Sequence, residues 1–302
     1  MLGYLSGEFD ILRAKDLRKL DEMIQKNRER GNEYFAVAIY SRELCEELGM
    51  DTPLKSAKDR AQIMEQISGV DFTFIIDDLE EKSIIEKATE TFKDFKRTPK
   101  EQKTTKKYKT VYVPGTYDLF HAGHLENLME ANKIGEKVIA GVKADELVKK
   151  QKGDYPKISA EERMEILRHF KFIDNVYQFY TRDLHVAAGW VESKYGSKPA
   201  VVCGADLEKD YKSVEGLDIV YTDRDAKKMK ERSTSTYKKK LKLRQIEIPD
   251  EEKKEHHFTG NINMALPMFI DEIISVERTS EEKKELDISS KELKNKEEHM
   301  LI

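Results

Sequence analysis

No run in this sequence approaches the roughly 18 apolar residues that a membrane-spanning helix needs, so a helical integral membrane protein is not expected. Cysteine is scarce. Only Cys45 and Cys203 occur in 302 residues, in segments that read as a helix and a buried strand, which leaves no basis for a disulfide framework. A basic excess is also missing: the formal net charge is -4, and general nucleic-acid affinity leans on cationic side chains that neutralise phosphates. The first ten residues show no charged segment followed by an apolar core, so a cytoplasmic location is expected. What the chain does have is charge, 37% against 38% hydrophobic residues, which suits a sparing core under much solvated helix surface.

Reading for self-similarity shows a repeat. Gly7 to Leu17 aligns with Gly115 to Leu125 at an offset of 108, keeping Gly7, Asp10, Ala14 and Leu17. Downstream the offset is 103, matching Glu43-Leu44 to Glu146-Leu147, Arg60 to Arg163 and Asp71 to Asp174, so five extra residues are expected around Asn27 to Glu33. Strands are predicted at Tyr4 to Phe9, Phe35 to Tyr40 and Phe72 to Ile76, and again at Thr110 to Val113, Lys137 to Val142 and Asn175 to Phe179. Helical patterns at Leu17 to Asn27, Ala57 to Ile67, Leu125 to Ile134 and Ala160 to Phe170 separate them. The second copy continues into strands at Ala200 to Cys203 and Asp218 to Tyr221.

Alternation of strand and helix predicts an α/β fold with Rossmann-like parallel sheets. The expected organisation is a degenerate first copy at 1–80, a charged helix and linker at 81–109, an intact copy at 110–244, and a charged tail at 245–302. Within that tail Met264 to Val276 carries an apolar cluster of Leu266, Met268, Phe269, Ile270 and Ile273, expected to dock on the protein or a second subunit. The lysine run Lys96 to Lys109 reads as a solvated linker, and Trp190 as a core residue.

The segment richest in chemistry is Gly115-Thr116-Tyr117-Asp118-Leu119-Phe120-His121-Ala122-Gly123-His124, directly after a strand. His121 and His124, three residues apart at a helix start, share one face of the first turn. The first-turn amides lack helical partners and the dipole adds partial positive charge, so a phosphate is expected there, with Gly123 allowing close approach. Arg13 and Asp16 stand at the two histidine positions in the first copy, which is therefore disarmed. The histidine pair has no third ligand cluster beside it, so no protein-bound metal is expected.

The Gly-Thr-Tyr-Asp-Leu-Phe-His-Ala-Gly-His element resembles that of the cytidylyltransferase family, which acts on glycerol 3-phosphate, phosphocholine or phosphoethanolamine. Further resemblances follow in order: Ala144-Asp145-Glu146-Leu147, Lys152-Gly153, Glu162-Arg163, Phe172-Ile173-Asp174, Gly204-Ala205-Asp206 and Ser233-Thr234-Ser235. In the last motif Lys228 and Glu231 replace the family's arginine and glycine, and a lysine does not reproduce a guanidinium fork. The resemblance implies catalysis by His121, His124 and Lys152, with Gly115, Thr116, Tyr117, Asp118, Gly123, Gly204, Asp206, Ser233, Thr234 and Ser235 around the nucleotide. It also implies Arg163 on the substrate phosphate, Asp118 ordering the loop, and Mg²⁺ carried with the triphosphate.

Taken from the residues alone, Lys152 is equally a solvated loop lysine, Arg163 equally a structural arginine in both copies, and Ser233 to Ser235 a helix cap. The expected reaction is transfer of CMP from CTP to a phosphorylated alcohol, glycerol 3-phosphate before choline or ethanolamine phosphate, with release of pyrophosphate. The alternatives are an ATP-dependent adenylyltransferase of the pantetheine-phosphate or flavin type, and a non-catalytic nucleotide-binding scaffold. The expected partners are CTP and the phospho-alcohol, in a homodimer or an intrachain pseudo-dimer.

Overall fold

A computed structural model of the chain describes residues 2–97, 106–204, 215–222 and 233–243. The first repeat holds β1 (Leu2–Gly7), α1 (Ala14–Glu29), β2 (Tyr34–Tyr40), α2 (Arg42–Glu47), α3 (Ala57–Glu65), β3 (Phe72–Ile76) and α4 (Glu81–Arg97). The second holds β4 (Tyr108–Gly115), α5 (Ala122–Ile134), β5 (Gly135–Lys143), α6 (Asp145–Lys152), α7 (Ala160–Arg168), β6 (Asn175–Phe179), α8 (Leu184–Tyr195), β7 (Ala200–Gly204), β8 (Ile219–Thr222) and α9 (Thr234–Leu243).

Among the described residues every pairing between these strands is parallel, in the orders β1-β2-β3 and β6-β5-β4-β7-β8. The expected α/β, Rossmann-like architecture is therefore observed. The near-continuous apolar runs of β2 and β4 follow from sheets covered on both faces. The far face of the first sheet is closed by α4, through Ile84 and Ala88 with Phe92 and Phe95, and that of the second by α8, through Leu184, Ala188 and Val191.

One apolar core runs between the sheets and is shared by both repeats. Leu17, Leu20, Ile63 and Ile67 of the first repeat join Leu125, Leu128, Ile166 and Phe170 of the second. The packing is two-fold in character. Ile67 forms an antiparallel bridge with Phe170, its own counterpart at the 103 offset. Ser68 N–H donates to His169 O at 2.8 Å and Lys171 N–H to Gln66 O at 3.0 Å, equivalent bonds read in opposite directions. Asp71 accepts from Phe35 N at 2.8 Å as Asp174 accepts from Val138 N at 2.8 Å.

The disarmed loop supplies the strongest tie across this seam. Arg13 grips Glu162 with Nε at 2.6 Å and Nη2 at 3.0 Å, and the same carboxylate accepts from Ala14 N at 3.1 Å, capping α1 from the other repeat. Both side chains are under a tenth exposed. Glu162→Ala leaves a buried guanidinium and a helix amide unmatched, so it is expected to destabilise the chain by about 3–5 kcal/mol in denaturant unfolding.

Several boundaries moved. β1 runs from Leu2 to Gly7 and does not reach Phe9, because Phe9 turns the chain out of the extended region at φ 51°. Its ring folds back over Gly7, where a Cβ would come within 2.9 Å of Phe9 Cε2. The inserted residues divide between α1, with 16 residues against 13 in α5, and the turn that precedes β2. Trp190, expected in the core, is 46% exposed and forms a T-shaped pair with Tyr177. The apolar cluster at Met264 to Val276 lies outside the described residues.

Candidate active site

In the second sheet the strand order reverses between β4 and β7, and ligands of open α/β sheets bind where strands part at such a reversal. Only Val111 with Ala200 and Tyr112 with Val201 pair across that boundary. Beyond them the carboxyl ends separate, with Gly115 closing β4 on one side and Gly204 closing β7 on the other. The loop from Gly115 to His124 leaves β4 into this crevice. Among the described residues the first repeat has no strands corresponding to β7 and β8, and so no such crevice.

Two left-handed residues shape the loop, Tyr117 at φ 58° and Leu119 at φ 49°. The Tyr117 ring folds over Gly115, where a Cβ would lie 2.6 Å from it, and its hydroxyl donates to Val113 O at 2.8 Å. Phe9 and Gly7 make the same turn in the first repeat. Asp118 is fully buried and its carboxylate accepts from Lys157 N at 2.9 Å, Ile158 N at 3.1 Å and the Lys238 ammonium at 2.8 Å. Asp118 thus orders the loop.

His121 and His124 stack on one another with ring centroids 3.8 Å apart and planes 23° apart. His124 also lies against Tyr117 and Phe120. His121 caps α5: its Nδ1 accepts from Gly123 N at 3.1 Å, while its carbonyl accepts from His124 N and Leu125 N. The bare helix terminus expected from the sequence is therefore largely occupied by His121 itself. An anion here meets imidazoles before backbone.

Helix α9 closes over the pair. Ser233 is its cap, accepting from Thr236 N at 3.3 Å. Thr234 donates to Asp118 O at 3.0 Å and stands 3.2 Å from His121 Nε2, and the Tyr237 and His121 rings meet in a T-shaped pair. Thr234 thus joins the histidines, as expected. Tyr237 and Lys238 were missed, for their only signal was a place one turn past the serine–threonine motif.

Other expectations need correction. Arg163 is 1% exposed, and its nitrogens donate to Ile158 O, Thr116 O, Lys143 O and Asp145, so four of its five N–H groups are spent on clamping the loop and the side chain is walled off from a substrate phosphate. Arg60 makes the matching bonds to Lys55 O and Glu8 O, which fits the structural alternative. Tyr117 is likewise buried, its ring packed over Gly115 and against His124. Lys152 is the exposed last residue of α6, about 10 Å along the helix axis from Asp145. Asp206, Lys228 and Glu231 lie outside the described residues.

The disarmed repeat keeps the loop and fills it with charge. Asp10 accepts from Leu54 N at 2.7 Å and Lys55 N at 2.9 Å, as Asp118 does from its counterparts. Burial first and the Asp10 carboxylate second push Glu8 up to about 7 from its usual 4.5. Between those values the folded chain holds a proton that the unfolded chain has released, so the contribution is full below 4.5 and is lost as pH rises through 7. Glu8→Gln is expected to stabilise the protein by about 1–2 kcal/mol at pH 8 and not at pH 4, read from thermal melts.

Sequence comparison decides the family. The cytidylyltransferase-like family model matches residues 112–296, more than half of the chain. The chain belongs to the cytidylyltransferase-like family. Relatives include a probable ethanolamine-phosphate cytidylyltransferase of Encephalitozoon cuniculi, 38% identical over 24% of this chain and 22% of that protein. The ethanolamine-phosphate cytidylyltransferase of Dictyostelium discoideum is 40% identical over 22% of this chain and 19% of its own length. The FAD synthase of Pyrococcus horikoshii is 42% identical over 22% of this chain and 45% of that protein. The chain therefore spans less than half the length of each of these relatives.

The cytidylyltransferase-like match runs past Leu243 through most of the segment the sequence set apart as a tail. No helix among the described residues is long and apolar enough to cross a membrane. The described residues also contain no group of three or more His, Cys, Asp or Glu side chains placed to hold a metal ion. The loop's own carboxylate, Asp118, is engaged by two amides and an ammonium.

Proposed function

We propose that this protein transfers CMP from CTP to a small phosphorylated alcohol. The observation that supports it most is the stacked His121–His124 pair at the head of α5, beside the reversal in strand order, in a chain of the cytidylyltransferase-like family. An oxygen of the acceptor phosphate attacks the α-phosphorus of CTP, the bond to the β-phosphate oxygen breaks, and pyrophosphate leaves. The acceptor phosphate is already ionised near neutral pH, so alignment and charge stabilisation suffice, and imidazole donors provide both. Lys152 is the candidate to neutralise charge on the α-phosphate, with Ser233, Thr234 and Ser235 toward the far phosphates. Mg²⁺ enters as the counter-ion on the triphosphate's own oxygens.

The two ethanolamine-phosphate relatives are the reason to test ethanolamine phosphate before glycerol 3-phosphate as the acceptor. A second reading keeps the chemistry and changes the base: the FAD synthase relatives support adenylyl transfer from ATP to a flavin phosphate. Incubating the protein with CTP or ATP and each of ethanolamine, choline and glycerol phosphates and flavin mononucleotide, while following pyrophosphate, separates the two. Turnover confined to ATP overturns the cytidylyl reading. Nucleotide binding without product in any pairing points to a sensor or scaffold.

A further inference from the structure

Lys55 is a buried lysine in the repeat that has lost its histidines, 2% exposed, with burial pulling its pKa down and the Asp10 carboxylate opposing that by favouring the charged form. Its Nζ donates to Asp10 O, lies 3.8 Å from the Asp10 carboxylate, and sits 5.4 Å from the ring centroid of Tyr237. The fold does not require a cation at this place, because the equivalent residue of the second repeat is Ile158. The acceptor is informative too. Asp10 O corresponds to Asp118 O, which in the second repeat accepts from Thr234 of α9.

Lys55 thus supplies locally the donor that α9 supplies to the other loop, and in doing so it sets a positive charge against an α9 side chain. Tyr237 is 2% exposed and its ring meets that of His121 at 5.7 Å and 61°. A cation within about 6 Å of an aromatic ring is attracted by the ring's quadrupole, which restrains the ring. The contacts run unbroken from the disarmed repeat to the imidazole.

We propose that Lys55 is a positioning residue which, through Tyr237, holds the His121 imidazole, so that the histidine-less repeat contributes to the nucleotide site of the other. This rests on the nucleotidyl-transfer reading above. A cation retained only to satisfy the Asp10 carbonyl would give no coupling to Tyr237, and a double-mutant cycle detects the difference.

The cycle compares Lys55→Met, Tyr237→Leu and the double variant in the full chain, with kcat and KM for CTP measured separately. Each single change is expected to lower kcat/KM by about fivefold, chiefly through KM, the double to be no worse than Tyr237→Leu, and Lys55→Arg to restore most of the loss. Losses that multiply, or Lys55→Met within about twofold of the parent, overturn the proposal. Lys55→Gln runs the same cycle, so a folding defect in the methionine variant leaves the comparison intact. A nucleotide-free arm follows the His121 ring by NMR: Lys55→Met should move its resonances, and Arg18→Ala, which cuts a surface ion pair between the repeats to Glu165, should not. Unmoved His121 resonances in Lys55→Met overturn the proposal even where no nucleotide is turned over, whereas absent turnover with moved resonances strikes only the parent reading.

Discussion

His124→Ala is expected to lower turnover with the best nucleotide and acceptor by about a hundredfold, because on the proposed reading it removes a donor to charge that develops on the transferring phosphate. The loss should fall on kcat, with CTP affinity changed far less, since a transition-state contact is what disappears. The ring is half-buried and stacked on His121, so the variant also loses packing, and its melting curve must accompany the kinetics. Turnover within about threefold of the parent in a folded variant removes the histidine pair from the chemistry.

A chain beginning at Lys103 is expected to lose the folded state rather than a fraction of its activity. Leu125, Leu128, Ile166 and Phe170 pack into a core whose other half comes from the first repeat. Removing that half uncovers a continuous apolar face and strands the Glu162 carboxylate that Arg13 and Ala14 now hold. Aggregation, or loss of a cooperative melt, is the anticipated result. A soluble, fully active fragment refutes the structural role assigned to the disarmed repeat.

Much of this arrangement was legible because repeat and period are local properties of sequence. The 103 and 108 offsets carried the strands, the helices and the matched Arg60 and Arg163, and the strand-to-helix turn carried His121 and His124. What could not be read were contacts that depend on where distant segments meet. Arg163 looks like any phosphate-binding arginine until its carbonyl partners are brought together from two loops and the end of β5. Nothing in the spelling of the first repeat says that Arg13, standing where a histidine would be, reaches Glu162, or that Lys55 lies against a helix near residue 237. Trp190 shows the converse error: aromatic bulk suggested the interior, but α8 turns that face outward.

The bridge between Ile67 and Phe170 has a thermodynamic corollary. Equivalent residues meet at it, as they would at the dyad of two separate subunits, yet both belong to one polypeptide. Mating of the halves is then a unimolecular step, and dilution that would dissociate a comparable pair of free chains leaves this one joined. Covalent linkage also removes the demand that both halves stay alike, so one could trade imidazoles for a guanidinium and a carboxylate while the other kept its pair.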